Sequence, residues 1–227
     1  MRASDDWIEV LYKVVGEGLN LLARKLPGEL IEILGPIGQP FRPSLARPNC
    51  LMIGGGVGIP PMVFLADRLH ADASTWNPLA VFGSETPFPF TLKKSSLPTP
   101  WLDDNISSAM PLLESWGIPS RLTSLSNFEG CMNGYVTDLA DRWLASLADN
   151  ELAATEIFAC GPKPMLKAVA ELASGYGLPC QVSLEEFMAC AVGGCAGCTV
   201  LVEAPDGPAM KRVCVDGPVF DAATVIW

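Results

Sequence analysis

The sequence predicts an α/β protein: a parallel sheet with helices between its strands, a short β-rich segment ahead of it and a small cysteine-bearing subdomain behind it. Three observations carry this. From Cys50 onward, short apolar runs rich in Val, Ile and Phe alternate with helical patterns, the signature of parallel strands joined by crossover helices. Two of those runs, CLMI (50–53) and EIFAC (156–160), lead through Gly- and Pro-rich turns into helix starts. Near the C-terminus Cys190, Cys195, Cys198 and Cys214 stand in the spacing C-x4-C-x2-C-x15-C.

The elements follow in order. WIEVLYKVV (7–15) is rich in β-branched and aromatic residues and reads as a strand. Leu19–Leu26 has helical spacing of Leu21, Leu22 and Leu26 and stops at Pro27-Gly28, and LIEIL (30–34) reads as another strand. GPIGQPF is a turn and RPSLARPN a linker, which places a boundary near residue 46. Beyond CLMI come a helix over Pro60–His70, a strand at PLAVFG (78–83) and another at RLTSL (121–125). The long segment between the last two, containing the Pro- and Ser-rich FPFTLKKSSLPTPW, reads as a surface excursion. GYVTDLADRWLASLA (134–148) is an amphipathic helix with Val136, Leu139, Ala140, Trp143, Leu144 and Leu147 toward the sheet. EIFAC precedes a helix running to about Ser174, CQVSL (180–184) is the last parallel strand, and TVLVEA (199–204) with MKRVCV (210–215) forms a hairpin.

Composition narrows the function. At 227 residues, 49% hydrophobic and 18% charged, the chain can bury one substantial core. Its apolar runs are broken well before the roughly 20 residues of a membrane span. A formal charge of −10 argues against nucleic acid, whose phosphates need clustered Lys and Arg. Eight cysteines, with no basic-then-apolar pattern in MRASDDWIEV, fit a reducing, cytoplasmic setting in which thiols serve metals or catalysis.

The cysteine spacing is the plant-type arrangement for a 2Fe-2S cluster, in which each iron takes two protein sulfurs. The intervening AVGG and AG are small, as backbone amides bending round a cluster require. A structural zinc site, the rival reading, usually shows two close pairs, and Cys214 supplies no second pair. Rieske ligation needs two histidines, and the chain has only His70. Cys50, Cys131 and Cys180 read as small buried apolar residues.

The turn GGGVGIPP (54–61) would let the backbone approach a pyrophosphate in front of a helix N-terminus. Close packing of strand on helix is the rival for its glycines. ACGPKPM (159–165) repeats the architecture, and two such turns at carboxyl ends of one parallel sheet would face a single crevice able to hold a nicotinamide dinucleotide. Cys160 would stand near its reacting end. Gly83-Ser84-Glu85 could face the adenosine side or simply start a loop.

LMIGGGVGIPPM, FACGPKPML and MACAVGGCAGCTV, followed by KRVCVDGPVFDA, resemble the electron-transfer subunits of class 1B dihydroorotate dehydrogenases, within the ferredoxin-reductase-like superfamily. The resemblance runs from about Trp7 to Phe220. It implies a ferredoxin-reductase-like fold: the C-terminal part of an FAD-binding antiparallel β-barrel over 1–46, an NAD-binding α/β domain over 47–184 and a 2Fe-2S subdomain over 185–227. It also implies an FMN-containing dihydroorotate dehydrogenase catalytic subunit as partner, in a heterotetramer, with electrons passing from FMN through 2Fe-2S and FAD to NAD in pyrimidine biosynthesis. Cys190, Cys195, Cys198 and Cys214 become metal ligands. Gly54, Gly55, Gly56, Gly58 and Pro60 become the nucleotide turn, and Cys160, Gly161 and Pro162 the motif at the nicotinamide. Gly16 and Gly18 match a pair that approaches the FAD phosphates, with Leu19 where the family commonly has a hydroxyl residue. The family has further barrel strands ahead of the position of Met1, including an Arg-Pro-x-Ser segment that holds the flavin. Codons upstream are therefore expected to encode it, and the 227-residue chain alone is expected to hold FAD weakly. A related subunit of an NADPH-dependent ferredoxin oxidoreductase or a sulfhydrogenase, and a non-catalytic iron-sulfur module, are the alternatives.

Overall fold

The computed structural model describes residues 2–227. Its first elements are an antiparallel pair, β1 (Arg2–Ala3) and β2 (Ile8–Glu9), with Arg2 Nη2 2.8 Å from the Glu9 carboxylate. Helix α1 (Gly16–Ala23) follows. The strand expected over 7–15 thus shortens to two residues, and the helix begins three residues earlier than its leucines suggested. Residues 30–34 form no strand, a correction with a visible cause. Leu30, Ile31, Ile33 and Leu34 are all exposed and no strand among the described residues lies beside them, so their β propensity has nothing to pack on.

The body of the protein is a six-stranded sheet. In chain order it takes β3 (Asn49–Gly55), a 3-10 turn over Gly56–Gly58, α2 (Ile59–His70) and β4 (Asn77–Gly83). A small pair, β5 (Lys93–Lys94) with β6 (Ser108–Ala109), precedes α3 (Pro111–Ser115) and β7 (Ser120–Thr123). Then come α4 (Val136–Ser146), α5 (Asp149–Ala153), β8 (Thr155–Cys160), α6 (Lys163–Tyr176) and β9 (Cys180–Ser183). A hairpin of β10 (Thr199–Ala204) and β11 (Gly207–Arg212) leads to β12 (Val219–Asp221).

The sheet order is β12-β9-β8-β3-β4-β7, parallel except for β12, which runs antiparallel on β9. The last strand of the cysteine segment therefore closes the edge of the main sheet. The central strands are buried on both faces, which explains their uninterrupted apolar character. Met52, Phe82 and Phe158 face α2, with Met62, Val63 and Ala66. Leu51, Ile53, Val81 and Ile157 face α4 and α6, with Leu139, Leu144 and Val169. Each such fully buried side chain is worth about 1.5–3 kcal/mol.

Two readings are refined. Leu147 is only half-buried at the end of α4, where the helix turns out into solvent. The expected surface excursion is core-bound over its second half: Ile106, Met110 and Leu113 are buried. Its anchor is the Glu114 carboxylate, which accepts from the Ser96 N–H at 2.6 Å, the Ser95 and Ser96 hydroxyls and the Leu97 N–H.

Candidate functional site

The chain order reverses between β3 and β8: β4 and β7 lie on one side of β3, β8 and β9 on the other. At such a switch point the loops leaving the strand ends diverge and open a crevice. Gly54 and Cys160 are register partners at the two strand ends, so the two expected turns do meet there. α2 begins with Pro60 and Pro61 in its first turn, and α6 begins at Lys163 with Pro164. Proline costs no donor at these positions, and both helix N-termini present free amides.

The glycines divide by role. A Cβ on Gly54 would sit 3.0 Å from the Phe82 ring and 3.1 Å from Ile59 Cα. On Gly55 it would come within 2.5 Å of Met165 Sδ, and on Gly161 within 2.5 Å of Met165 Cε. On Gly58 it would collide with the Cys160 carbonyl. Gly58 thus packs on the backbone of the other turn, Gly54 on β4 and the start of α2, and Gly55 and Gly161 on the movable end of Met165. Gly56 alone has open space around its Cβ position, with φ +54°, so it is the turn residue free to meet a ligand. Met165, which sits between Gly55 and Gly161, was not singled out in the sequence.

Cys160 is half-buried at the end of β8, beside its register partner Ser183. Burial pushes its thiol up to about 11, the Ser183 hydroxyl pulls it partly back, and Glu185 raises it again. It is a neutral thiol at physiological pH. The loop at Gly83 binds itself: Ser84 Oγ donates to the Thr86 carbonyl, and Gly83 packs on Val136 and Thr123. Gly16 and Gly18 have nothing within 4 Å of a Cβ position, and α1 buries none of its side chains. A cleft of about 390 Å³ separates the Gly161–Lys163 turn from Leu184–Phe187, Thr199–Leu201 and Ile226.

The cysteine loop is curled tightly, with Ala191, Gly193 and Ala196 at positive φ of 56°, 79° and 54°. The curl aims amides at sulfur: the Cys195 N–H lies 3.4 Å from Cys190 Sγ, and the Gly197 N–H 3.4 Å from Cys195 Sγ. Hydrogen bonds from the Val192 and Cys195 amides hold Cys190 down at about 6. The thiols fall in two pairs by backbone contact: the Cys195 N–H lies on Cys190 Sγ, and the Val213 N–H donates to the Cys198 carbonyl at 2.9 Å, which sets Cys198 beside the segment carrying Cys214. Cys198 is lowered chiefly by the Cys214 backbone N–H, while burial raises Cys214. Cys195 is exposed and Cys198 and Cys214 are buried. Among the described residues no group of three or more His, Cys, Asp or Glu gathers about a single ion position. Two thiol pairs wrapped in N–H donors fit the division that a two-iron cluster needs.

Three neighbours of this loop went unread in the sequence. Arg212 and Asp216 flank Cys214 at i, i+4 spacing; the Arg212 Nε–Asp216 Oδ2 distance is 3.1 Å, and Arg212 Nη1 donates to the Gly193 carbonyl at 3.0 Å. Gln39 lies on the other side of the same segment, its N–H donating to the Gly217 carbonyl at 2.5 Å. Burial raises Cys50 to about 12 and Cys131 to about 11 and also raises Cys180, in keeping with packing roles.

The parallel sheet with paired turns at its switch point, flanked by a four-thiol loop, defines a ferredoxin-reductase-like electron-transfer protein. The chain of a solved NADH-dependent reduced ferredoxin-NADP oxidoreductase structure superposes with a TM-score of 0.72 at 27% identity, covering 95% of this chain and 67% of that one. Residues 185–226 match the family described as the iron-sulfur cluster binding domain of dihydroorotate dehydrogenase B. The dihydroorotate dehydrogenase B (NAD(+)) electron transfer subunit of Caldanaerobacter subterraneus subsp. tengcongensis is 32% identical over 98% of this chain and 77% of its own length. That of Geobacillus thermodenitrificans is 34% identical over 96% and 73%. This chain belongs to the family of dihydroorotate dehydrogenase B electron transfer subunits. No helix among the described residues is long and apolar enough to cross a membrane.

Proposed function

We propose that the protein relays electrons between an FMN-containing dihydroorotate dehydrogenase catalytic subunit and NAD, in the cytoplasm, as part of pyrimidine biosynthesis. The observation that carries this is the joining of two sites in one fold: the cysteine segment ends in β12, an edge strand of the sheet whose other strands form the nucleotide crevice. In this reading Cys190, Cys195, Cys198 and Cys214 hold a 2Fe-2S cluster, the turns at Gly54–Pro60 and Cys160–Pro162 hold NAD, and Gly16 and Gly18 face FAD. The three-part division at 1–46, 47–184 and 185–227 belongs to the same proposal.

When bound, FAD exchanges a two-electron hydride for single electrons and the cluster passes them one at a time. The chain's own residues position and insulate. The packed glycines hold the two helix N-termini over one crevice, and the amides at 190–197 surround the thiolates with donors. Cys160, as a neutral thiol beside Ser183, offers a soft, uncharged wall near the reacting end of the nucleotide rather than a base.

Co-expression with a candidate FMN-containing subunit, followed by cofactor analysis and dihydroorotate-dependent NAD+ reduction, tests the proposal. Co-purification with activity is expected; a stable complex without that activity would refute it. The likeness to the ferredoxin-NADP oxidoreductase structure supports a second reading, an electron-entry subunit serving ferredoxin and NADP. Reduction of ferredoxin by NADPH in the absence of dihydroorotate activity would select it.

A further inference from the structure

Arg212 closes β11 and bonds both to its own turn, at Asp216, and to the cysteine loop, at Gly193. Its backbone N–H donates to Asp216 Oδ2 at 2.7 Å, its Nε to the same oxygen at 3.1 Å, and its Nη1 to the Gly193 carbonyl at 3.0 Å. Its own carbonyl accepts from the Asp216 N–H at 2.8 Å and the Gly217 N–H at 3.2 Å, which locks the 212–217 turn around Cys214. The side chains are 42% and 28% exposed, and an ion pair so open to water adds little to stability. What the contact does instead is tie two chain segments together.

Gly193 is the joint. Its φ of +79° disfavours other residues, and a Cβ there would lie 3.2 Å from Arg212 Nη1 and 3.0 Å from Val215. Its carbonyl shares a peptide unit with the Gly194 N–H, in the same short turn as the Cys195 N–H that lies 3.4 Å from Cys190 Sγ. A guanidinium on the carbonyl side of that unit polarises it, and the N–H on the other side becomes a stronger donor.

We propose that Arg212 is a positioning residue for the iron-sulfur loop: by gripping the Gly193 carbonyl and Asp216 together it seats the Cys190–Cys198 loop on the segment carrying Cys214 and sets the field at the sulfurs. The inference rests on the reading of the four cysteines as cluster ligands. Each electron the cluster accepts makes it more negative, so a nearby cation and strong N–H donors favour the reduced form. Removing them shifts the potential downward.

The test uses the 227-residue chain reconstituted anaerobically with iron and sulfide. The cluster midpoint potential is read by redox titration, iron loss by transfer to a ferrous chelator, and folding by circular dichroism. Arg212→Gln is expected to shift the potential to more negative values and to accelerate iron loss by about 10- to 100-fold. Arg212→Lys keeps the charge, and so a potential near wild type, but an ammonium cannot fork between Gly193 and Asp216, so iron loss still accelerates. A folded R212Q protein with wild-type potential and iron loss overturns the proposal. R212K carries the test alone where R212Q does not fold, and iron loss at the wild-type rate then overturns it. Wild-type protein with no two-iron signal would overturn the ligand reading itself.

Discussion

Gly58 lies against the carbonyl of Cys160, so the glycine turn after β3 and the Gly-Pro turn after β8 are packed directly on each other. The crevice between them is thus one rigid piece of backbone. A residue in either turn can matter for shape or for ligand, and the two roles separate by position.

Gly58→Ala is expected to cost about 1–3 kcal/mol, because a methyl group would displace the β8 turn. Gly56→Ala meets open space and carries only a left-handed backbone cost of about 1–2 kcal/mol. Thermal denaturation together with NADH titration separates them. G58A should lose stability and binding together, whereas G56A should lose NADH affinity out of proportion to its loss of Tm. Equal NADH affinity in wild type and G56A would remove Gly56 from the nucleotide site.

Cys198→Ser and Cys214→Ser should each abolish the visible and EPR signals of a two-iron cluster, while Cys160→Ser should retain them. Cys160 lies at the sheet end beside Ser183, outside the curled loop. Loss of the cluster in C160S would show that the assignment of these thiols is wrong.

Cys160 should be unreactive at neutral pH. Burial raises its pKa to about 11, so the thiolate that attacks an alkylating agent accumulates only as pH climbs toward that value. Mass-spectrometric mapping of iodoacetamide adducts at pH 8 should find the exposed Cys195 of cluster-free chain modified and Cys160 intact. Rapid modification of Cys160 at pH 7 would contradict a neutral, half-buried thiol.

Glu114 makes stability fall in acid. Burial alone would raise its pKa, but the hydrogen bonds from Ser96, Ser95 and Leu97 outweigh that and hold it below the ordinary value of about 4.3. Its contribution is therefore complete above that ordinary value and is lost as pH falls through the depressed one. Glu114→Gln should cost about 1–3 kcal/mol in urea unfolding at pH 7, with the gap to wild type narrowing in acid. A gap constant down to pH 3 would mean that the carboxylate charge is irrelevant.

The 227-residue chain purified alone should bind a hydrophobic dye and release FAD on gel filtration. Trp7, Val10, Val15, Leu30, Ile33 and Leu34 are exposed, and Gly16 and Gly18 stand on a helix with no buried side chain. Stoichiometric flavin absorption after gel filtration would count against this.

The parts legible in the sequence are those governed by local rules. The apolar runs at 50–53, 78–83 and 156–160 are strands on both criteria, because a strand buried on two faces must be apolar throughout. The stripe from Val136 to Leu144 faces the core as its 3.6-residue period requires. The apolar run at 30–34 misled, because a strand exists only beside a partner and propensity does not supply one. The anchoring of the 84–119 excursion was equally invisible, since it depends on one carboxylate meeting amides 17 and 18 residues away.

From the chain alone came the cysteine spacing, the two glycine turns and the family resemblance, since all three are written in residue identity over short distances. Folding decided what those features touch. It showed that Gly54, Gly55, Gly58 and Gly161 serve packing and leave Gly56 open, that Cys160 is a neutral thiol, and that Arg212 and Asp216 clamp the cysteine loop. These facts turn on which atoms arrive within a few ångströms from segments far apart in sequence, and distance of that kind is a property of the packed chain.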